Sequence, residues 1–109
     1  MTAVETLTSD QLEPKVLRAP EPVVLDFYQA SCAPCRVLEP RLERIAQQYA
    51  GRVPVYRVDI DQDLTAAERF NVKSLPTVLV LRAGTEVERL DGLITDAALK
   101  AAFDRVARG

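Results

Sequence analysis

The chain has 109 residues, of which 48% are apolar and 28% charged, with a formal net charge of −2; this balance excludes intrinsic disorder and suits one domain spanning residues 1–109 rather than two. Its 14 basic and 16 acidic residues are scattered without a basic stripe, which argues against a nucleic-acid partner, and no apolar run approaches the roughly 20 residues of a membrane-spanning helix. There are two cysteines and no histidine, so imidazole acid–base chemistry is excluded along with most zinc and haem sites.

From the N-terminus, residues 1–10 lack the basic start and apolar stretch of a secretory leader, which points to the cytoplasm. Ala3 to Leu7 is a candidate additional strand. Thr8 to Gln11 has the T-x-x-Q form of a helix-opening capping box, and Pro14 follows early enough to leave the helix's extent open. Val23 to Tyr28 (Val-Val-Leu-Asp-Phe-Tyr) is a buried strand interrupted by one acid. After a break at Ser31 to Pro34, Leu38, Leu42, Ile45, Ala46 and Tyr49 fall on one helical face that ends near Gly51, with Pro40 inside it as a kinking residue. Val53 to Ile60 is a strand and Asp61 to Phe70 a helix. Thr77 to Leu81 is a second wholly apolar strand. Gly84 turns the chain into Glu86 to Leu90, a half-exposed strand, so these two form an antiparallel hairpin. Thr95 or Asp96 caps a last helix whose Leu99, Ala102, Phe103 and Val106 line one face. Helices alternating with strands, closed by a hairpin, imply an α/β fold with a central mixed sheet covered by helices.

Cys32-Ala33-Pro34-Cys35 lies where the first buried strand gives way to a helix. A sulfur at a helix N-terminus meets unpaired backbone N–H groups and the positive end of the helix dipole. Both favour thiolate over thiol, and the thiolate is the form that attacks disulfides. Cys35, one turn further on, is close enough to resolve a mixed disulfide, and Pro34 suits the first helical turn. Three other readings of the pair stand beside this one: two ligands of a zinc site, a purely structural disulfide, and two ordinary buried thiols.

The stretch from Val24 to Arg36, with Cys32-Ala33-Pro34-Cys35 inside it, resembles the active-site segment of the thioredoxin family. Pro40 matches that family's kinking proline, Asp59-Ile60-Asp61 its acidic strand end, and Leu75-Pro76-Thr77 its cis-proline loop, while Gly84 and Gly92 fall at family glycines. The resemblance covers nearly the whole chain. It implies a thioredoxin fold with helices on both faces of the sheet, and a protein-disulfide reductase working through Cys32 as attacking thiol and Cys35 as resolving thiol. It further implies that Asp26 is a buried acid moving protons to and from Cys35, that Ser31, Ala33, Pro34, Leu75, Pro76 and Gly92 form the substrate-binding rim, and that Arg57 stands near Asp26, where it would hold the acid ionised. For Asp26 the alternative is a strand-end polar residue with a satisfied hydrogen bond; for Arg57, an outward-facing strand charge; for Pro76, a trans proline opening a strand. The resemblance implies no bound metal or cofactor, with NADPH and FAD entering only through a thioredoxin reductase partner, disulfide-containing proteins as substrates, and a monomer.

Four positions depart from the family. Ser31 and Tyr28 stand where tryptophans are usual, Ala33 replaces a glycine between the cysteines, and Asp91 puts an acid in a loop that is usually apolar. These departures speak for a specialised member, or for a competing role as a binding subunit or chaperone-like module with incidental thiols. An oxidase or isomerase would use the same two sulfurs at a different redox poise.

Overall fold

The computed structural model describes residues 2–108, so Met1 and Gly109 at the ends of the expected domain lie outside the described residues. Five strands form one mixed sheet: β1 (Val4–Thr6), β2 (Val23–Tyr28), β3 (Val55–Asp59), β4 (Thr77–Arg82) and β5 (Thr85–Asp91), in the spatial order β1-β3-β2-β4-β5. β3 runs parallel to both β1 and β2, and β4 is antiparallel to β2 and β5. Helices α1 (Ser9–Leu12) and α3 (Leu64–Arg69) lie on one face, and α2 (Ala33–Gln48) and α4 (Asp96–Arg108) on the other. The expected fold class is borne out. Among the described residues no helix is long and apolar enough to cross a membrane.

β2 and β4 read as apolar runs, broken in β2 only by Asp26, because both of their faces are covered. Side chains alternate across the sheet: Val24, Val78 and Val80 join Leu38, Leu42, Leu99 and Phe103 in one core, while Leu25, Phe27, Leu79 and Leu81 join Leu12, Val16, Ala66 and Ala67 in the other. Each fully buried side chain of this size contributes about 1.5–3 kcal/mol relative to exposure. Two residues beyond Val24 on β2 and Val55 on β3, both in the α2/α4 core, stand Asp26 and Arg57, which are register partners. The pleat therefore turns both charged side chains toward α2.

Several element boundaries differ from the sequence expectation, each for a local reason. The first helix does not stop at Pro14 but continues as a π-helical turn, Glu13–Leu17. Thr8 caps its start, with the Thr8 N–H donating to Gln11 Oε1 at 2.9 Å. α3 begins at Leu64 rather than Asp61 because the intervening acids are used in a turn: Asp59 Oδ1 accepts from the Asp61 N–H at 3.0 Å, and Asp63 caps the helix through the Ala66 N–H at 3.3 Å. Asn71, with φ +55°, ends that helix, and Arg89 from β5 donates to the Phe70 carbonyl at 2.6 Å. β5 lacks clean alternation because Val80 pairs with Glu88 and Leu81 with Glu86, leaving Val87 unpaired in a bulge at the sheet edge.

The β4–β5 turn is Ala83-Gly84, both at positive φ (+52° and +80°), the backbone that two-residue hairpins require. A Cβ on Gly84 would lie 2.6 Å from the Leu17 carbonyl oxygen, whereas one on Gly51, also at positive φ, would meet open space. Gly84→Ala is therefore expected to cost about 3 kcal/mol and Gly51→Ala about 1 kcal/mol. Urea midpoints of the two variants check this, and equal losses would refute the close contact as the cause.

Candidate active site

α2 starts directly after Cys32, which is its N-cap with extended backbone (φ −84°, ψ 107°). Serine or aspartate at such a position would cap with an oxygen; here the cap is sulfur. Cys32 Sγ accepts the Cys35 N–H at 3.2 Å, and the first turn of α2 carries no acid. Cys32 and Cys35 are joined as a disulfide, with Cα atoms 5.2 Å apart. Cys32 is half-buried at the surface, and Cys35 beneath it is 2% exposed. Only one sulfur is therefore open to a partner. Arg36 Nη1 donates to the Ala30 carbonyl at 2.6 Å, which places a cation beside the loop entering the site. Once the bond is reduced, an N–H aimed at Cys32 Sγ and the positive end of the helix dipole both favour its anion.

Behind α2 lies Asp26, 1% exposed. Its Oδ2 accepts from Arg57 Nε at 3.3 Å, and its Oδ1 has no hydrogen-bond partner among the described residues. Burial pushes the Asp26 carboxyl up to about 7, against the opposing pull of Arg57 and with a smaller upward push from Glu39. The sequence reading had Arg57 hold this acid ionised. Arg57 acts in that direction, but loss of hydration outweighs it. Arg57 is not an outward-facing charge, since its side chain is only 11% exposed. Its guanidinium rests over the Tyr28 ring, 3.7 Å from the centroid, and its Nη2 meets Glu39 Oε2 at 3.3 Å.

The Leu75–Pro76 peptide is cis, and Pro76 is buried. Thr77, which follows it, is buried with its hydroxyl donating to the Ser74 carbonyl at 2.6 Å. Of the expected rim residues, the structure brings Pro34, Pro76 and Gly92 together along one apolar groove of about 200 Å³. Ser31 and Ala33 are exposed beside the disulfide but outside that groove, and Leu75 turns its side chain to the core of the opposite sheet face. Sequence reasoning passed over two exposed apolar residues lining the groove, Val37 (62% exposed) and Leu93 (93% exposed). The available signals were an apolar residue off the buried stripe of α2, and a leucine in a loop next to Gly92. Among the described residues no group of three or more His, Cys, Asp and Glu side chains is placed to hold a metal ion.

This arrangement can be set beside known proteins. The family model described as Thioredoxin matches residues 3–105. The chain belongs to the thioredoxin family. Within the family it is 30% identical to Thioredoxin 1 of a Nostoc species over 105 residues, covering 96% of this chain and 98% of that protein. It is 37% identical to a thioredoxin of Thiocapsa roseopersicina over 82 residues, 75% of this chain and 89% of that one. The crystal structure of Malassezia sympodialis thioredoxin superimposes with a TM-score of 0.89 at 27% identity, covering 98% of this chain and 93% of that one. With the family and the bonded cysteine pair both in hand, the chain is a thiol–disulfide oxidoreductase.

Proposed function

We infer that the chain is a protein-disulfide reductase, acting as one domain over residues 1–109. The observation that carries this reading is the Cys35 N–H directed at Cys32 Sγ, with Cys35 buried behind the half-buried Cys32. In the reduced protein the Cys32 thiolate attacks one sulfur of a substrate disulfide. A mixed disulfide forms, and the substrate's other sulfur leaves as a thiolate that takes up a proton. Cys35 then gives its proton to Asp26 and attacks Cys32 Sγ. The Cys32–Cys35 bond forms, and the second substrate sulfur leaves. Two electrons pass from the dithiol to the substrate, whose disulfide becomes two thiols. An acid titrating near 7 is matched to this proton transfer.

Pro34, Pro76 and Gly92 would seat the substrate strand, with Leu93 and Val37 supplying apolar contact area. Ser31, Ala33 and the Leu75 backbone complete the rim. Arg57 gives electrostatic support behind it. Recharging falls to a thioredoxin reductase partner, which brings FAD and NADPH. Reductive work suits the cytoplasm, where thiols are kept reduced.

Insulin reduction with a dithiol donor tests the reading. The wild type is expected to run well above the dithiol background and Cys32→Ser at background; a wild type at background would refute it. A midpoint more oxidising than the glutathione couple would assign the same site to an oxidase or isomerase instead. Full biological function in a chain lacking both thiols would assign the fold to binding alone.

A further inference from the structure

The guanidinium of Arg57 is divided between two carboxylates. Its Nε reaches Asp26 Oδ2 and its Nη2 reaches Glu39 Oε2, each at 3.3 Å. Arginine can give one carboxylate two parallel N–H bonds at about 2.7–2.9 Å. Neither acid receives that here. The Tyr28 ring beneath the guanidinium fixes its plane, so one arm cannot swing inward without leaving the other acid. Asp26 is left with a single long contact and one bare oxygen.

The groups facing Asp26 are few. β3 contributes Arg57, α2 contributes Glu39 through its contact with Arg57, and on β4 the register partner is the apolar Val78. Glu39 is about half exposed on a groove of about 270 Å³ that also touches Arg57, Pro40 and Glu43. Glu43 is engaged elsewhere, accepting from the Ala3 N–H at 2.6 Å.

We propose that Glu39 is a positioning residue for the proton step at Asp26: by holding the Nη2 arm of Arg57 at the surface, it denies the buried acid a bidentate partner. Asp26 thereby stays a base strong enough to take a proton from Cys35. The proposal rests on the acid–base reading of Asp26 given above. Burial supplies most of the upward push on that carboxyl, and Glu39 keeps Arg57 from cancelling it.

The test follows the Asp26 carboxyl carbon by NMR in the oxidised protein from about pH 2.5 to about pH 9, a range that brackets both its ordinary and its raised midpoint. Glu39→Gln is expected to lower the midpoint by about half a pH unit, a modest shift because the Glu39 end is open to solvent. The acid limb of the insulin-reduction profile should move the same way. Thermal melts establish that the variant is folded. In an Arg57→Lys background, where no fork can be shared, Glu39→Gln should move the midpoint less than half as far. An unmoved midpoint in Glu39→Gln overturns the proposal, as does an equal shift in both backgrounds, which would reduce Glu39 to a distant charge. Failure of the underlying reading looks different: Asp26→Asn would then leave the turnover profile unchanged while the carboxyl titration still responded to Glu39.

Discussion

Cys35→Ser is expected to halt turnover by trapping the protein on its substrate. The half-buried Cys32 still sits at the N-terminus of α2 with its sulfur at the surface, so the first attack proceeds and a Cys32–substrate bond forms. The buried second sulfur that would break that bond is gone. Groups held in place within one molecule act at effective concentrations far above the millimolar range of an added thiol, so turnover should fall by about 10³-fold or more. Intact mass under non-reducing conditions checks the outcome directly, as protein plus substrate. Cys32→Ser should give no adduct, because the remaining thiol is 2% exposed and out of a partner's reach. An adduct on Cys35 in that variant, or free turnover by Cys35→Ser, would reverse or remove the assigned roles.

Asp26→Asn is expected to stabilise the fold in alkaline solution and to slow catalysis. In the unfolded chain this carboxyl titrates near its ordinary 3.8, whereas in the folded protein it titrates at about 7. Between those values the folded state holds a proton that the unfolded state has released, so stability falls as pH rises. The loss begins above the unfolded value and is complete once pH passes the folded one. Between about pH 5 and about pH 8 this single group should remove roughly 2–3 kcal/mol from the wild type. The asparagine variant cannot ionise and should lack that decline, so its advantage over wild type grows with pH. Urea unfolding at both pH values measures this, and parallel stability curves for the two proteins would show that Asp26 is not the source. Thiol exchange near neutral pH should slow by about a hundredfold, the lower end of the range for loss of a positioned base.

How much could be read in advance depended on the range of the interactions involved. β2 and β4 announced themselves because strands covered on both faces need unbroken apolar runs, and Asp26 stood out as the one acid within such a run. The Cys-x-x-Cys spacing at a strand–helix junction carried the site, since both sulfurs lie within one turn. What escaped notice depends on partners distant in sequence. The family resemblance alone placed Arg57 near Asp26, since the two meet through the β2–β3 register; Glu39 escaped because it joins them only when α2 is laid across that pair. The balance between burial and Arg57 at Asp26 was not legible because desolvation depends on packing depth, which one sequence position does not reveal. Leu93 was missed because a loop has no periodicity against which an exposed leucine looks out of place. The displaced start of α3 and the bulge at Val87 reflect acids and edge pairing that propensity patterns do not resolve.

The reactive pair hangs from the end of β2, the middle strand of five, which is bonded along its length to β3 on one side and β4 on the other. Fraying begins at the rims of a sheet, here β1 and β5, and transient openings there leave the centre closed. The sulfurs are thus anchored to the portion of the molecule that opens last. Repeated cycles of bonding and release can flex the loops around them while their own spacing is held by the most durable part of the framework.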